Sequence, residues 1–233
     1  MPQAKRNQKA NNLQCHYCGK VFIREVSYTK HACISKLRFL DSNLTKNRLG
    51  FQAYQKYYDL SHRSKKNLDD FIKSRFYNAF VKFGKFVVDN NVMYPDKYVE
   101  FLIRTNYPVD RWTNLSIYEI YLRELAKKES FEDGTERTLL LMKQWADEYN
   151  EEYYDFFRKI NPNLFVHYVK NGRISPWVLY NCDSGIELLE TKLNSEQLKM
   201  IEEWLDPDFW ARKMKINKED RKIYSDIFKE YGL

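Results

Sequence analysis

The segment LQCHYCGKVFIREVSYTKHAC, residues 13–33, concentrates side chains that bind metal ions. It holds three of the four cysteines of the chain and two of its four histidines. Cys15 and Cys18 are separated by two residues, a spacing that lets two soft thiolates face one ion in a tetrahedral zinc site. His31 follows Cys18 after twelve residues, which suits a third ligand. The spacing therefore predicts a bound Zn2+.

The fourth ligand is harder to assign, because no Cys or His lies three to five residues after His31. Cys33 lies only two residues after it, and side chains two apart on a helix point to different faces. Cys33 can complete the site only if the helix ends near His31 and the chain then turns back. On that condition we predict Cys15, Cys18, His31 and Cys33 as the ligand set.

The same stretch resembles the C2H2 zinc-finger family, because L-x-C-x2-C-x3-F-x5-Y-x2-H reproduces the spacing of that family. Leu13, Phe22 and Tyr28 match the positions of its three small-core side chains. The short distance from His31 to Cys33 makes the chain similar to a C2HC variant. The resemblance implies a small ββα unit.

The resemblance to C2H2 fingers also implies positions that read DNA bases, counted back from the first histidine. On this chain they fall at Arg24, Val26, Ser27 and Lys30. An arginine at the first of these positions commonly binds guanine N7 and O6 in the major groove. The alternative interpretation is that these residues are solvated side chains on a structural or protein-binding finger.

Positive charge is concentrated around this segment. Residues 1–48 contain ten Lys/Arg and two Asp/Glu, whereas the other residues contain 29 basic and 30 acidic side chains, so the net charge of +7 lies near the cysteines. A basic segment attached to a nearly neutral body is typical of nucleic-acid binding, although a solubilising tail would look similar. The predicted nucleic-acid-binding residues are Lys5, Arg6, Lys9, Lys20, Arg24, Ser27, Lys30, Lys36 and Arg38.

The elements that position these residues are mostly helical. After residue 48 apolar residues recur at three- and four-residue spacing, and Gly and Pro are few, so we predict one helix over 74–90 capped by Ser74 and another over 135–160. The fold class predicted is mostly α, with a small ββα zinc finger followed by an all-α helical domain. The predicted parts are a basic disordered arm (1–12), the zinc finger (13–34), a basic linker (35–48) and the helical domain (49–233).

The motif content does not indicate an enzyme. The chain lacks G-x-x-x-x-G-K-[ST], G-x-G-x-x-G, G-x-S-x-G and H-E-x-x-H. We interpret His62 and His167 as surface or core residues, and Cys182 as a core residue. No run of about 18 apolar residues occurs, which predicts no membrane span. We therefore predict a non-enzymatic protein with no membrane partner and no small-molecule substrate.

Several stretches resemble a group of uncharacterised zinc-finger proteins of T-even-type tailed phages. They are C-x-Y-C-G-K-x-F-x-R-E with H-x-C, LGFQAYQKYY, FVKFGKF and WVLYNCDSG. This resemblance implies a phage protein that acts in the host cytoplasm or in the virion, and it implies no particular activity.

The basic N-terminal segment, the zinc-finger spacing and the resemblance to phage zinc-finger proteins together predict a non-enzymatic DNA-binding accessory protein. The finger and arm would bind DNA, duplex or single-stranded, and the helical body would dock on phage replication, transcription or virion proteins. The alternative is a structural virion protein in which the finger is a folding staple and protein-contact module. A replication adaptor such as a helicase loader is a third interpretation.

Overall fold

A computed structural model of the chain describes residues 13–230; the predicted arm residues Lys5, Arg6 and Lys9 lie outside this range. Within it the chain is mainly helical, with one antiparallel pair of two-residue strands near the start, which confirms the predicted fold class. None of the helices between residues 13 and 230 has the length and apolar character needed to cross a membrane. The chain divides into two compact units between Asn114 and Leu115.

The first unit contains the cysteine-rich segment and a group of helices. Its elements are β1 (Leu13–Gln14), β2 (Val21–Phe22), α1 (Glu25–Thr29), α2 (Ile34–Leu40), α3 (Thr45–His62), α4 (Leu68–Lys73), α5 (Tyr77–Asp89) and α6 (Pro95–Arg104). Short 3-10 turns cover Asp41–Asn43 and Val109–Arg111. Helices α3 and α5 make the most extensive contact between elements of this unit.

Two glycines allow α3 and α5 to approach this closely. A Cβ atom on Gly84 would lie 1.9 Å from the carbonyl oxygen of Lys46, and one on Gly50 would lie 2.5 Å from the carbonyl oxygen of Phe80. Both obstacles are backbone atoms, which cannot rotate away as a side chain can. The two helices are therefore held in backbone contact that only glycine permits.

Aromatic side chains fill the core of the first unit. The Trp112 ring lies edge-on to Phe80 and Phe83, with centroid distances of 5.6 and 5.5 Å, and all three are buried. Trp112 donates its indole N–H to the carbonyl of Tyr107 at 2.9 Å, and its own carbonyl accepts a hydrogen bond from the Tyr98 hydroxyl at 3.2 Å. The tyrosine and tryptophan polar atoms are thus satisfied inside an apolar cluster, as burial requires.

Two predicted features of this unit differ from the structure. Residues 35–48, interpreted as a basic linker, contain most of α2, a 3-10 turn and the start of α3. Ser74, predicted as the cap of the helix over 74–90, instead ends α4, and α5 begins at Tyr77. The Ser74 hydroxyl accepts a hydrogen bond from the backbone N–H of Phe76 at 3.0 Å, so it supports the turn between the two helices.

The second unit is built from short and medium helices. Its elements are α7 (Leu115–Lys128), α8 (Phe131–Tyr149), α9 (Phe156–Lys159), α10 (Pro162–Lys170), α11 (Pro176–Leu179), α12 (Asp183–Glu187), α13 (Ser195–Leu205), α14 (Pro207–Ile216) and α15 (Lys218–Glu230). A 3-10 turn covers Tyr153–Asp155, and a π-helical turn, Leu188–Lys192, follows α12. The Trp177 ring stacks on Phe131 with a centroid distance of 3.6 Å, and both are buried.

The long helix predicted over 135–160 is wrong in its extent, because α8 ends at Tyr149. Asn150 adopts the left-handed conformation with φ 53° and ψ 48°. The backbone N–H of Glu151 then returns to the carbonyl of Ala146 at 3.0 Å, the hydrogen bond that closes a Schellman motif. Asparagine tolerates the left-handed region better than most residues, so it terminates the helix here.

Candidate metal centre

The hairpin of β1 and β2 positions the first two cysteines. Leu13 pairs with Phe22 and Gln14 with Val21. Beyond β1 the Cys15 N–H donates to the carbonyl of Lys20, and the Gly19 N–H donates to the carbonyl of Cys15, each at 2.8 Å. These bonds close a tight turn that contains Cys18. Gly19 has φ +73°, a conformation that glycine adopts without strain and that allows the chain to reverse at this point.

The third and fourth candidate ligands follow α1. This helix ends at Thr29, so His31 and Cys33 lie beyond it and are not restricted to different faces of one helix. Cys33 has an extended backbone, with φ −94° and ψ 157°, which turns its side chain back toward the hairpin. The structure thus meets the condition under which Cys33 was predicted to complete the site.

Four ligand atoms converge. The sulfurs of Cys15, Cys18 and Cys33 and a ring nitrogen of His31 all lie within 4.8 Å of one another. Sγ of Cys15 is 4.0 Å from Sγ of Cys33, and Sγ of Cys18 is 3.2 Å from Nε2 of His31. In a tetrahedral zinc site with ordinary bond lengths, neighbouring ligand atoms lie about 3.5 to 3.8 Å apart. The cluster therefore has the dimensions of a site that could hold a metal ion.

Cys33 has a second role. It is the N-cap of α2, and its sulfur accepts a hydrogen bond from the backbone N–H of Lys36 at 3.4 Å. An N-cap side chain satisfies one of the N–H groups that the first turn of a helix leaves unpaired. The same sulfur thus belongs to the ligand cluster and starts the next helix, which explains why the spacing from His31 is so short.

The thiols of the hairpin differ in acidity. Desolvation raises the pKa of Cys15, but hydrogen bonds from the backbone N–H groups of Cys18 and Tyr17 and contacts with the neighbouring thiols lower it by more. The backbone N–H of Lys20 lowers the pKa of Cys18, but desolvation and the neighbouring Cys15 and Cys33 thiols raise it by more. The shifts arise within one group of neighbouring thiols, and a bound cation would draw the remaining protons off.

The apolar support of the cluster is small. Phe22 lies 4.7 Å from the His31 ring and 6.0 Å from the Tyr28 ring, centroid to centroid. Phe22 is half-buried and Tyr28 is exposed, so these rings shield one side of the cluster without forming a closed core. Cys15 is the only residue of 13–33 that is fully buried, with 4% of its surface exposed.

The residues predicted to read bases lie on the outside of this segment. Arg24 precedes α1 as its N-cap residue, Ser27 lies within the helix, and Lys30 follows its last turn. All three are exposed. No residue of α1 is buried, so the helix presents its whole outer surface to solvent. Lys20 is also exposed, with its ammonium 5.4 Å from the centroid of the Phe22 ring.

The two predicted basic contacts on α2 have different environments. Lys36 is half-buried and supplies the N–H that Cys33 accepts. Arg38 donates from Nη1 to the carbonyl of Ile72 at 2.7 Å, and its guanidinium lies 4.2 Å from the centroid of the Tyr77 ring. Arg38 is engaged within the first unit, so we do not include it in the DNA-contacting surface proposed below.

Sequence reasoning missed two features of this region. It treated α2 as a linker, although the apolar residues Ile34, Leu37 and Leu40 recur every three residues and indicate a helix. It also missed the exposed aliphatic side chains beside the cluster. Ile23 is 86% exposed and Ile34 68%, and Val26, Leu37 and Leu40 are each at least half exposed.

His62, His167 and Cys182, which the sequence predicted to be surface or core residues, are not part of the ligand cluster. His62 is an exposed residue at the end of α3, and His167 is an exposed residue of α10 whose ring interacts with the amide of Asn171. Cys182 is buried, as expected of a core residue. Burial raises its pKa to about 11, so this thiol is a poor nucleophile and a poor metal ligand at neutral pH.

Comparison of the chain with protein-family models, with curated proteins and with solved structures finds no match.

Proposed function

We propose that the chain is a non-enzymatic, zinc-dependent DNA-binding accessory protein of a tailed phage. The observation that carries this proposal is the convergence of Cys15, Cys18, His31 and Cys33 beside an exposed helix that is flanked by Arg24 and Lys30. Zinc is the ion we assign, because three thiolates and one imidazole are the donor set of structural zinc sites. Such a site has no open position for a substrate, which agrees with a structural and not a catalytic ion.

The proposed DNA-contacting surface consists of Lys20, Arg24, Ser27 and Lys30, together with the basic residues that precede the hairpin. All four are exposed on the zinc-binding segment, where a rigid backbone can hold them against phosphates and base edges. Arg24 is the residue we expect to contact a guanine, and the lysines to contact phosphates. One finger covers only about 3 bp, so phosphate contacts would supply most of the affinity.

The helical part would then serve as the docking body for phage replication, transcription or virion proteins. The phage assignment rests on the resemblance of four stretches of the sequence, and it implies action in the host cytoplasm or in the virion. The acidic and basic side chains after residue 48 nearly balance, which suits contact with protein better than contact with DNA.

The test measures binding of zinc-loaded protein to a labelled 20-base-pair duplex and to its single strand at two salt concentrations. With four phosphate contacts, affinity should fall about a hundredfold between 50 and 200 mM salt. The double variant R24A/K30A removes the guanine contact and one phosphate contact, so it should bind at least about tenfold more weakly and lower the salt slope by about one. Failure of the zinc-loaded protein to bind either nucleic acid at 50 mM salt would reject the proposal.

A matched control separates a specific surface from general positive charge. Lys82 and Lys143 are exposed lysines on α5 and α8, distant in sequence from the zinc-binding segment. The variant K82A/K143A also removes two positive charges, and it should retain the affinity and the salt slope of the unchanged protein. Equal weakening by both double variants would mean that only net charge matters.

The second candidate function is a structural virion protein, in which the finger is a folding staple that contacts other proteins. The exposed aliphatic residues Ile23, Val26, Ile34, Leu37 and Leu40 favour it. The last three recur at three-residue spacing along α2, and exposed apolar side chains grouped on one surface often mark protein interfaces. Under this candidate, the uncharged variant I23S/L37S would abolish incorporation into phage particles. The same variant would leave DNA binding by Arg24 and Lys30 intact if the leading proposal is correct.

A further inference from the structure

Helix α2 follows the ligand cluster without an intervening loop, and a 3-10 turn joins it to α3. At its start, the Cys33 sulfur lies in the cluster and accepts the N–H of Lys36 at 3.4 Å. The helix begins at the very next residue, Ile34. The position of Cys33 in the cluster thus fixes where α2 begins and in which direction it leaves.

Arg38 ties α2 to α4 and α5. Its Nη1 donates to the carbonyl of Ile72, the penultimate residue of α4, at 2.7 Å. Its guanidinium carbon lies 4.2 Å from the centroid of the Tyr77 ring, at the first residue of α5. Ile72 and Tyr77 are both buried and Arg38 is half-buried, so these hydrogen-bond and cation–π contacts are partly screened from water.

A third contact joins the hairpin directly to α2. The Tyr17 ring, from the turn between Cys15 and Cys18, lies 5.1 Å from the Phe39 ring, centroid to centroid. Phe39 belongs to the last turn of α2 and neighbours Arg38. The hairpin therefore contacts α2 at both ends, through Cys33 at the start and through Tyr17 near the finish.

We propose that α2 is a rigid coupling element, with Cys33 and Arg38 as its positioning residues. Through it, the bound ion holds the DNA-contacting surface in one orientation relative to α3, α4 and α5. This inference rests on the proposed zinc site. A partner docked on those helices would be held at a fixed distance and angle from the DNA, which a finger on a flexible tether could not provide.

The coupling can be measured without DNA. Backbone 15N relaxation of the zinc-loaded full chain reports how residues tumble on the nanosecond scale. The amides of α1 and of α5 should show the same local correlation time. In R38A the α1 amides should shorten theirs by about half or more while bound zinc stays at one equivalent. Independent tumbling of α1 in the unchanged protein, or no change in R38A, would overturn the proposal.

Lys36 offers the matched control on the same helix. K36A removes one positive charge and keeps the backbone N–H that Cys33 accepts, so its α1 and α5 amides should still tumble together. Loss of coupling in K36A as well would show that the charge, and not the Arg38 contacts, matters, and would overturn the assignment of Arg38.

Removal of the ion tests whether its binding to Cys33 orders the start of α2. After chelation, amide hydrogen exchange of α2 should accelerate at least about tenfold, while that of α5 stays unchanged. Unchanged protection of α2 would overturn the role of the ion in coupling. Absence of zinc from the purified protein would overturn this inference and the proposed function together, whereas a zinc-loaded finger that binds DNA and tumbles freely would overturn this inference alone.

Discussion

Residues 13–33 bury a single side chain, Cys15, whereas the rest of the first unit buries whole rings such as Phe80, Tyr98 and Trp112. Apolar burial stabilises a fold in proportion to the area removed from water, so the helices can fold by this term alone. The finger cannot, because its few apolar residues are half-buried or exposed. The two regions therefore differ in what can order them: aromatic packing orders the helices, and the proposed metal ion would order the finger.

The largest effect is expected from replacing a ligand. C15S should weaken zinc binding on the order of a thousandfold and disorder residues 13–33, because the segment has no core to replace the ion. The helices from α3 onward should keep their amide signals. Competition with a chromophoric chelator and a 1H–15N spectrum measure both effects.

His16 provides the control for that variant. It is exposed, lies between the two hairpin cysteines and is not part of the ligand cluster. H16A should keep one equivalent of zinc and an ordered finger. Loss of the helical signals in C15S would contradict the comparison, because it would show that the helices also depend on the ion.

A large effect on the helical side is expected from G84A. The added methyl group would meet the Lys46 carbonyl and the Gly50 nitrogen, so α3 and α5 must separate. We expect a loss of about 3 kcal/mol in the free energy of unfolding of the first unit, at the upper end for overpacking. Urea denaturation followed by amide signals from both units measures it.

The exposed site Lys82 on the same helix supplies the comparison for G84A. K82A should change the free energy of unfolding by less than about 0.5 kcal/mol. Zinc affinity should be unchanged in both variants, since the ligand cluster includes no residue of α3 or α5. A loss of zinc affinity in G84A would contradict this comparison, because it would show that zinc binding depends on the packing of α3 against α5.

The rate of reaction with a thiol reagent should distinguish the cysteines of the finger from Cys182 in the helical core. After chelation, Cys15, Cys18 and Cys33 should react quickly with an aromatic disulfide reagent at pH 8. Burial raises the pKa of Cys182 to about 11 from an ordinary value of 9.0, so its thiolate is about a hundredfold scarcer and its reaction at least that much slower. Four fast thiols in the folded protein would contradict the assignment of Cys182 to the core.

The smallest effect is expected at Asn150, where the left-handed conformation ends α8. N150A should cost about 1 kcal/mol in the free energy of unfolding of the second unit, and N150G should be neutral within about 0.5 kcal/mol, because only the alanine opposes that conformation. Urea denaturation of both variants checks the difference. Equal stability of the two would show that the backbone conformation at this position does not matter.

The helical class and the convergence of Cys15, Cys18, His31 and Cys33 could be predicted from the sequence, because both depend on local spacing. Cys-x2-Cys fixes two ligands within one turn, and apolar residues at helical spacing mark the helices. Helix ends were predicted poorly. Ser74 looks like a cap from its type, yet the chain uses it to end α4, and the break at Asn150 depends on one residue inside a continuous apolar pattern.

The role of Arg38 could not be predicted from its own neighbourhood. Its acceptor on Ile72 is 34 residues away in the chain, and a basic residue in a basic segment looks like a candidate for DNA. The double role of Cys33 was equally hidden, because cysteine is not a preferred N-cap residue. Such features follow from tertiary contacts, which spacing alone does not encode.

The stretch from Cys33 to Arg38 sets a fixed distance and a fixed angle between the ligand cluster and the contacts that Arg38 makes with Ile72 and Tyr77. Each residue added within it would turn Arg38 by about 100° around the helix axis and move it about 1.5 Å away from the sulfur. Arg38 would then face away from the Ile72 carbonyl and the Tyr77 ring. We therefore expect insertions and deletions to be tolerated in the exposed loop after α3 but not between Cys33 and Arg38. One extra amino acid there would change the orientation of the finger relative to α4 and α5.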